Sequence, residues 1–201
     1  MGMTGGIYRA SDSEIQKLRA EPHTIGDFIE GSGWAPPVRE VRPKGVLGWL
    51  LKLTPITIEE VGPTAVPPSY YKEHERPHCD LDKAWHGLHF LLTGTAWEGE
   101  EPACYLVRGG EDLGDADELG YNVIQALSPP RVQRLAAFLN SLSRQELERR
   151  FDPERMMALD IYPEIWTRDS ACEYLLDASD ELRTFVNTLG DSGDGAIVYL
   201  T

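Results

Sequence analysis

Apolar and polar positions along this chain alternate in short runs and recur at helical spacing in longer ones, and the two periods divide it into elements. Residues 6–10 (GIYRA) predict a first strand. Ser11-x-x-Glu14 follows as a capping box, the Ser oxygen accepting an orphan helix N–H while the Glu carboxylate reaches back. Ile15 and Leu18 continue that helix. Asp80 is placed to cap a helix whose apolar face is Leu81, Trp85, Leu88, His89 and Leu92, with Gly94 as its stop. Residues 103–107 and 122–127 predict two strands. Ser128-Pro129 then sets proline at a first helical position, where its missing N–H costs nothing, ahead of Val132, Leu135, Ala136 and Leu139. Ser143-x-x-Glu146 is a second capping box, and Asp152-Pro153 opens a short helix running to Leu159. A long helix is expected over about residues 170–189, with Leu175, Leu182, Phe185, Val186 and Leu189 inward, Gly190 as its stop, and 196–200 as the last strand.

Between residues 21 and 78 the pattern weakens, and nine of the chain's 14 prolines fall there. A short helix (25–30), an apolar stretch (46–53) and a strand (56–61) stand out, so this stretch reads as loops and variable structure. Strands at both ends of the chain with helices between them predict an α/β fold with mixed connectivity: a small mixed sheet covered by helices. The whole of 1–201 reads as one domain carrying a Pro-rich insertion at about 20–78.

Charge narrows the function classes. The net charge is −14, and it is uneven: residues 1–78 hold 9 basic and 10 acidic side chains, residues 79–201 hold 10 and 23. Nucleic acid and anionic membranes are bound through basic stripes, which this pattern lacks, so neither is an expected partner. A basic protein is. In the acidic run 98–118, Glu111, Asp112, Asp115 and Asp117, together with Trp97 beside Glu98, are the candidate partner contacts. No leader or spanning segment is legible, so a cytoplasmic location is expected. Cys79, Cys104 and Cys172 are an odd number, far apart, and read as reduced thiols.

Candidate chemistry is sparse. His78-Cys79 followed by His86-x-x-His89 is the one ligand-rich cluster, because residues three apart share a helix face. His86, His89 and Cys79 would have to be joined by further ligands for zinc, and the sequence supplies no second pair at metal spacing, so no metal is expected. His78 and Cys79 adjoin in sequence, which does not bring a base to a nucleophile. Gly190-Asp191-Ser192-Gly193 follows a long helix and reads as a glycine-rich turn, not a protease motif. The run 109–120 lacks the alternating oxygen ligands of a calcium loop. There is no cofactor signature and no catalytic one.

Several pieces together resemble the YfbM-like family, a bacterial domain of unknown function: Met1-Gly2-Met3-x-Gly5, Leu81-Asp82-Lys83 followed by a Trp/His step, and Leu88-His89-Phe90-Leu91-Leu92-Thr93-Gly94. Leu127-Ser128-Pro129, Val132, Phe151-Asp152-Pro153 and Ile161-Tyr162-Pro163-x-x-Trp166 continue it, so that it covers about 1–19 and 79–201. The resemblance implies a compact three-layer α-β-α domain and carries no reaction, cofactor or substrate. Of the ligand cluster only His89 lies in a shared motif. Two functions follow: a protein-binding module of the immunity or interaction type, and alternatively a small-molecule-binding protein or enzyme. The alternative would use a cleft built by His89, Thr93, Tyr162, Trp166 and Asp82.

Overall fold

The computed structural model describes residues 2–29, 76–115, 120 and 122–201. The chain divides into two compact units, one of residues 1–25 and 77–201 and one of residues 26–76. The apolar stretch 46–53 and the expected strand 56–61 lie outside the described residues, and the fold below is that of the first unit.

Among the described residues five strands form its sheet: β1 (Gly5–Ala10), β2 (His78–Asp82), β3 (Glu111–Asp112), β4 (Val123–Leu127) and β5 (Gly195–Leu200). Their spatial order is β2-β1-β5-β4-β3. All four ladders are antiparallel, so the α/β class holds while the expected mixed pairing does not. The first and last strands of the chain lie side by side, Gly5 opposite Leu200 and Ala10 opposite Gly195. The β3 edge is two acidic residues long, which blunts an otherwise open ladder.

Helices cover both faces. Ala196, Val198 and Leu200 point into the main core, with Ile7, Cys79, Leu81 and Leu127 from neighbouring strands. On that side lie α3 (Trp85–Thr93), α4 (Pro129–Ser141), α5 (Arg144–Arg150), α6 (Pro153–Ala158) and α7 (Ala171–Ser192). The other face carries α1 (Asp12–Ala20): a Cβ added at Gly195 would stand 2.6 Å from Ile15 Cδ1. A 3₁₀ turn (Pro22–Thr24) follows α1, and the short α2 (Ile25–Ile29) leads into the second unit. Among the described residues no helix is long and apolar enough to cross a membrane.

The local signals that fix helix ends hold. Both arms of the Ser11/Glu14 capping box form, Pro129 opens α4, and Gly94 closes α3 in the left-handed conformation; of the second box only one arm forms, Ser143 accepting the Glu146 N–H while the Glu146 carboxylate accepts from Arg150 at 2.7 Å. Three expectations are corrected. Asp80 caps no helix: its carboxylate accepts the Asp82 N–H at 2.8 Å, and residues 78–82 form β2, with Cys79 and Leu81 inward at the strand period of two. Residues 103–107 form turns, not a strand, with Arg108 N–H donating to Cys104 O at 2.9 Å. Four consecutive buried side chains there show no alternation, and the Gln125 side chain of β4 holds the segment by donating to Tyr105 O at 3.0 Å and accepting Gly110 N–H at 2.7 Å. Finally, α7 runs through Gly190 and ends at Gly193, the glycine that takes φ 70°.

Candidate functional site

The central element is α3, in which every residue from Trp85 to Leu92 is buried. A helix apolar all round lies inside a fold, not on its surface. It approaches its neighbours closely at Gly87, where a Cβ would stand 2.6 Å from Trp166 Cη2 and 2.7 Å from Leu175 Cδ2. Its two histidines, one turn apart, have opposite environments.

His86 is fully engaged. Its Nδ1 accepts the Tyr162 N–H at 3.0 Å, which leaves the proton on Nε2, where it is donated to Ala96 O at 2.8 Å. Its ring stacks on Trp85 (4.7 Å, 7°) and lies 4.4 Å from Trp97. Burial lowers its pKa, against the opposing pull of the Ala96 carbonyl. His89 is fully buried as well, yet neither ring nitrogen has a hydrogen-bond partner. The Glu98 carbonyl lies near its ring without meeting hydrogen-bond geometry, and burial, the main cause, lowers its pKa to about 4.

The candidate metal ligands do not converge. His86 has both nitrogens occupied, His89 lies in the core, and Cys79 faces the core cluster from β2, its thiol pushed up to about 11 by burial. Among the described residues no three His, Cys, Asp or Glu side chains are grouped to hold a metal. His78 stacks on Tyr8 at 5.0 Å, while its neighbour Cys79 points to the opposite face of the strand, so the pair cannot act together.

The five candidate ligand residues are likewise dispersed. His89 and Trp166 are core side chains, Trp166 Nε1 donating to Ile161 O at 2.6 Å, so neither walls an open cleft. Thr93 donates to His89 O at 2.8 Å and lines a cleft of about 390 Å³ at the end of α3. Tyr162 is half-buried, its ring 6.2 Å from that of Trp85. Asp82 lines a separate cleft of about 460 Å³ with Lys83, Arg168, Ser170 and Tyr174. It does so at φ 39°, in the left-handed region that side chains rarely adopt.

Of the acidic candidates, Glu111 is committed within the fold, its carboxylate taken by both ends of the Arg19 guanidinium fork at 2.5 and 2.6 Å. Asp112 and Asp115 are exposed, and Asp117 lies outside the described residues. Trp97 is 47% exposed, and Leu159 is the other large hydrophobic side chain open to solvent among the described residues. The two belong to segments that flank one imidazole, since Ala96 and Tyr162 hydrogen-bond opposite nitrogens of His86. Glu98 and Glu100 adjoin Trp97, and Asp160 and Glu164 adjoin Tyr162; all four are exposed, and none has a basic partner among the described residues. Asp160 and Glu164 also hold positive φ, 51° and 61°. Sequence reasoning passed over Leu159, Asp160 and Glu164, because only folding brings their segment to the histidine that Ala96 also meets. It also passed over Arg149, Arg150 and Arg155, whose signal was present as three arginines within seven residues of the acidic half.

Comparison with known proteins agrees with the family resemblance and carries it through residues 20–78. The backbone is similar to the crystal structure of YfbM from Escherichia coli, a protein of unknown function, with a TM-score of 0.63 at 17% identity, over 98% of this chain and 99% of that one. No curated protein matches. Residues 1–199 match the family described as a domain of unknown function, DUF1877, and the chain belongs to it.

Proposed function

We propose that this member of a family without an assigned activity is a protein-interaction domain, which docks a basic segment of its partner on Trp97 and the acids around it. The observation that carries the reading is the mounting of Trp97: it is half open to solvent, while its ring rests 4.4 Å from an imidazole pinned by two backbone hydrogen bonds. An aromatic side chain held rigid before binding loses little entropy on contact, which is why such residues dominate interface energetics. Leu159 adds apolar area, and Glu98, Glu100, Asp160 and Glu164 supply the negative rim that selects a basic partner and speeds its encounter.

A photo-crosslinking residue at position 98 or 159 in living cells tests this against the same residue at Ala137, exposed on α4. Discrete crosslinked species are expected from 98 and 159 and not from 137. Equal yields at all three positions overturn the reading.

A second reading, a small-molecule site, is favoured by one feature. The 88–94 motif ends in an open cleft lined by Thr93, Gly94 and three arginines. That site lies apart from Tyr162, Trp166 and Asp82.

A further inference from the structure

The cleft at the C-terminal end of α3 sets Arg149, Arg150 and Arg155 against one lining carboxylate, Asp152. In a chain of net charge −14 this runs against the average, and acids to neutralise it are not scarce. Arg144, at the start of α5, reaches Glu173, Asp177 and Asp180 at 2.5, 2.9 and 2.5 Å. Of the cleft arginines, Arg150 pairs with Glu146, while Arg149 and Arg155 are treated differently.

Asp152 is already engaged as the N-cap of α6, accepting the Arg155 N–H at 3.0 Å. Arg150 divides its donors between Glu146 (2.7 Å) and Leu91 O (3.3 Å). Arg155 donates from Nη2 to Gly94 O at 2.9 Å, with its guanidinium carbon 5.6 Å from the centre of the Phe90 ring. Arg149 is exposed, donates from Nε to Gln145 O at 3.3 Å, and meets no carboxylate among the described residues. A guanidinium carries five N–H donors, so most of those on Arg149 and Arg155 have no protein acceptor. A bare helix C-terminus would repel an anion through its carbonyls. Here Arg150 and Arg155 each donate to one of those carbonyl groups, which offsets that repulsion.

We propose that this cleft binds a phosphate monoester; the proposal rests on the small-molecule reading of the same cleft and names its ligand. One arginine fork suffices for the two oxygens of a carboxylate. Arg149 and Arg155, neither paired with a carboxylate among the described residues, bring two positive charges to one cleft with Arg150 beside them, which matches a group with three terminal oxygens and close to two negative charges at neutral pH. The cleft's volume of about 390 Å³ leaves room for the organic group that the phosphate carries.

The test follows the arginine Nε–H NMR signals of the full chain during titration with phenyl phosphate, inorganic phosphate and benzoate. Phenyl phosphate is expected to shift Arg149, Arg150 and Arg155 saturably and to bind about tenfold tighter than benzoate, the difference of one charge-assisted hydrogen bond. Arg149→Gln is expected to weaken it about tenfold by the same loss and to leave Tm unchanged. Benzoate binding as tightly overturns the phosphate assignment and leaves an anion cleft standing. Inorganic phosphate binding as tightly as the ester removes the organic group from the assignment. Absence of a saturable shift, or equal shifts at Arg134 and Arg168, overturns both the ligand and the cleft.

Discussion

The two ends of α3 were built from the same kind of sequence and became opposite surfaces. At its N-terminal end His86 sits between two backbone partners and props an exposed tryptophan with acids beside it. At its C-terminal end the helix carbonyls are met by Arg150 and Arg155, and the cleft there is basic. Between them His89 satisfies nothing with its ring. Both proposed sites thus stand at the ends of a buried apolar helix, where backbone groups must find partners outside the helix.

The largest expected effect comes from the N-terminal end. His86→Ala leaves a ring-sized cavity and strands the Tyr162 N–H and the Ala96 carbonyl, for a loss of about 3–5 kcal/mol by denaturant unfolding. His86→Phe keeps the stacking and gives up only the hydrogen bonds, so about half that loss is expected. If Ala and Phe cost the same, the hydrogen bonds carry all of the effect and the prop under Trp97 carries none.

His89 breaks the symmetry with His86 through pH. Its pKa of about 4 when folded lies below the ordinary 6.5 of an unfolded histidine. The unfolded chain therefore binds the extra proton first. The stability from this group is complete above pH 6.5 and falls as the pH drops from 6.5 to about 4, by roughly 3 kcal/mol in all. His86 acts in the same direction, and Glu98 and Arg108 face His89 with opposing signs. The carboxylates of Asp194 and Glu111, held below their ordinary range by Arg9 and Arg19, weaken the fold only at lower pH. His89→Leu should flatten the upper part of this profile at little cost near neutral pH, because it removes two buried polar atoms without a partner. A steep loss of stability at pH 7 would mean that the ring has a partner in solution.

At the C-terminal end, Arg155→Ala should cost about 1–2 kcal/mol through the lost contacts to Gly94 O and Phe90, whereas Arg149→Ala should stay within about 0.5 kcal/mol. Equal costs would erase the distinction between a capping arginine and a free one. A small gain in place of a loss is expected where the chain enters α3: Asp82→Gly relieves the φ of 39° and should raise stability by about 0.5–1 kcal/mol in thermal unfolding.

What could be read from the sequence was whatever is decided within a turn or two of chain. The Ser11 and Ser143 caps, Pro129 at the start of α4, Gly94 at the end of α3, and the terminal strands all belong to this class. Their physics is local, an orphan N–H or a left-handed φ answered by a residue nearby. The family, and with it the α/β fold, was legible for the same reason, as motifs of short span.

Tertiary structure decided the rest. Residues 78–82 and 103–107 carry apolar side chains that suit several elements, and strand pairing with β1 and the Gln125 side chain made the choice. His86 and His89 share a face in sequence, yet only the Ala96 and Tyr162 segments, 10 and 76 residues away, separate a pinned ring from an orphaned one. Acidic residues are countable in the sequence, but whether each is free or committed is not: Glu111 lies 92 residues from the arginine that holds it. A side chain's chemistry is local, while its availability depends on which distant group reaches it first, and that is settled when the layers close.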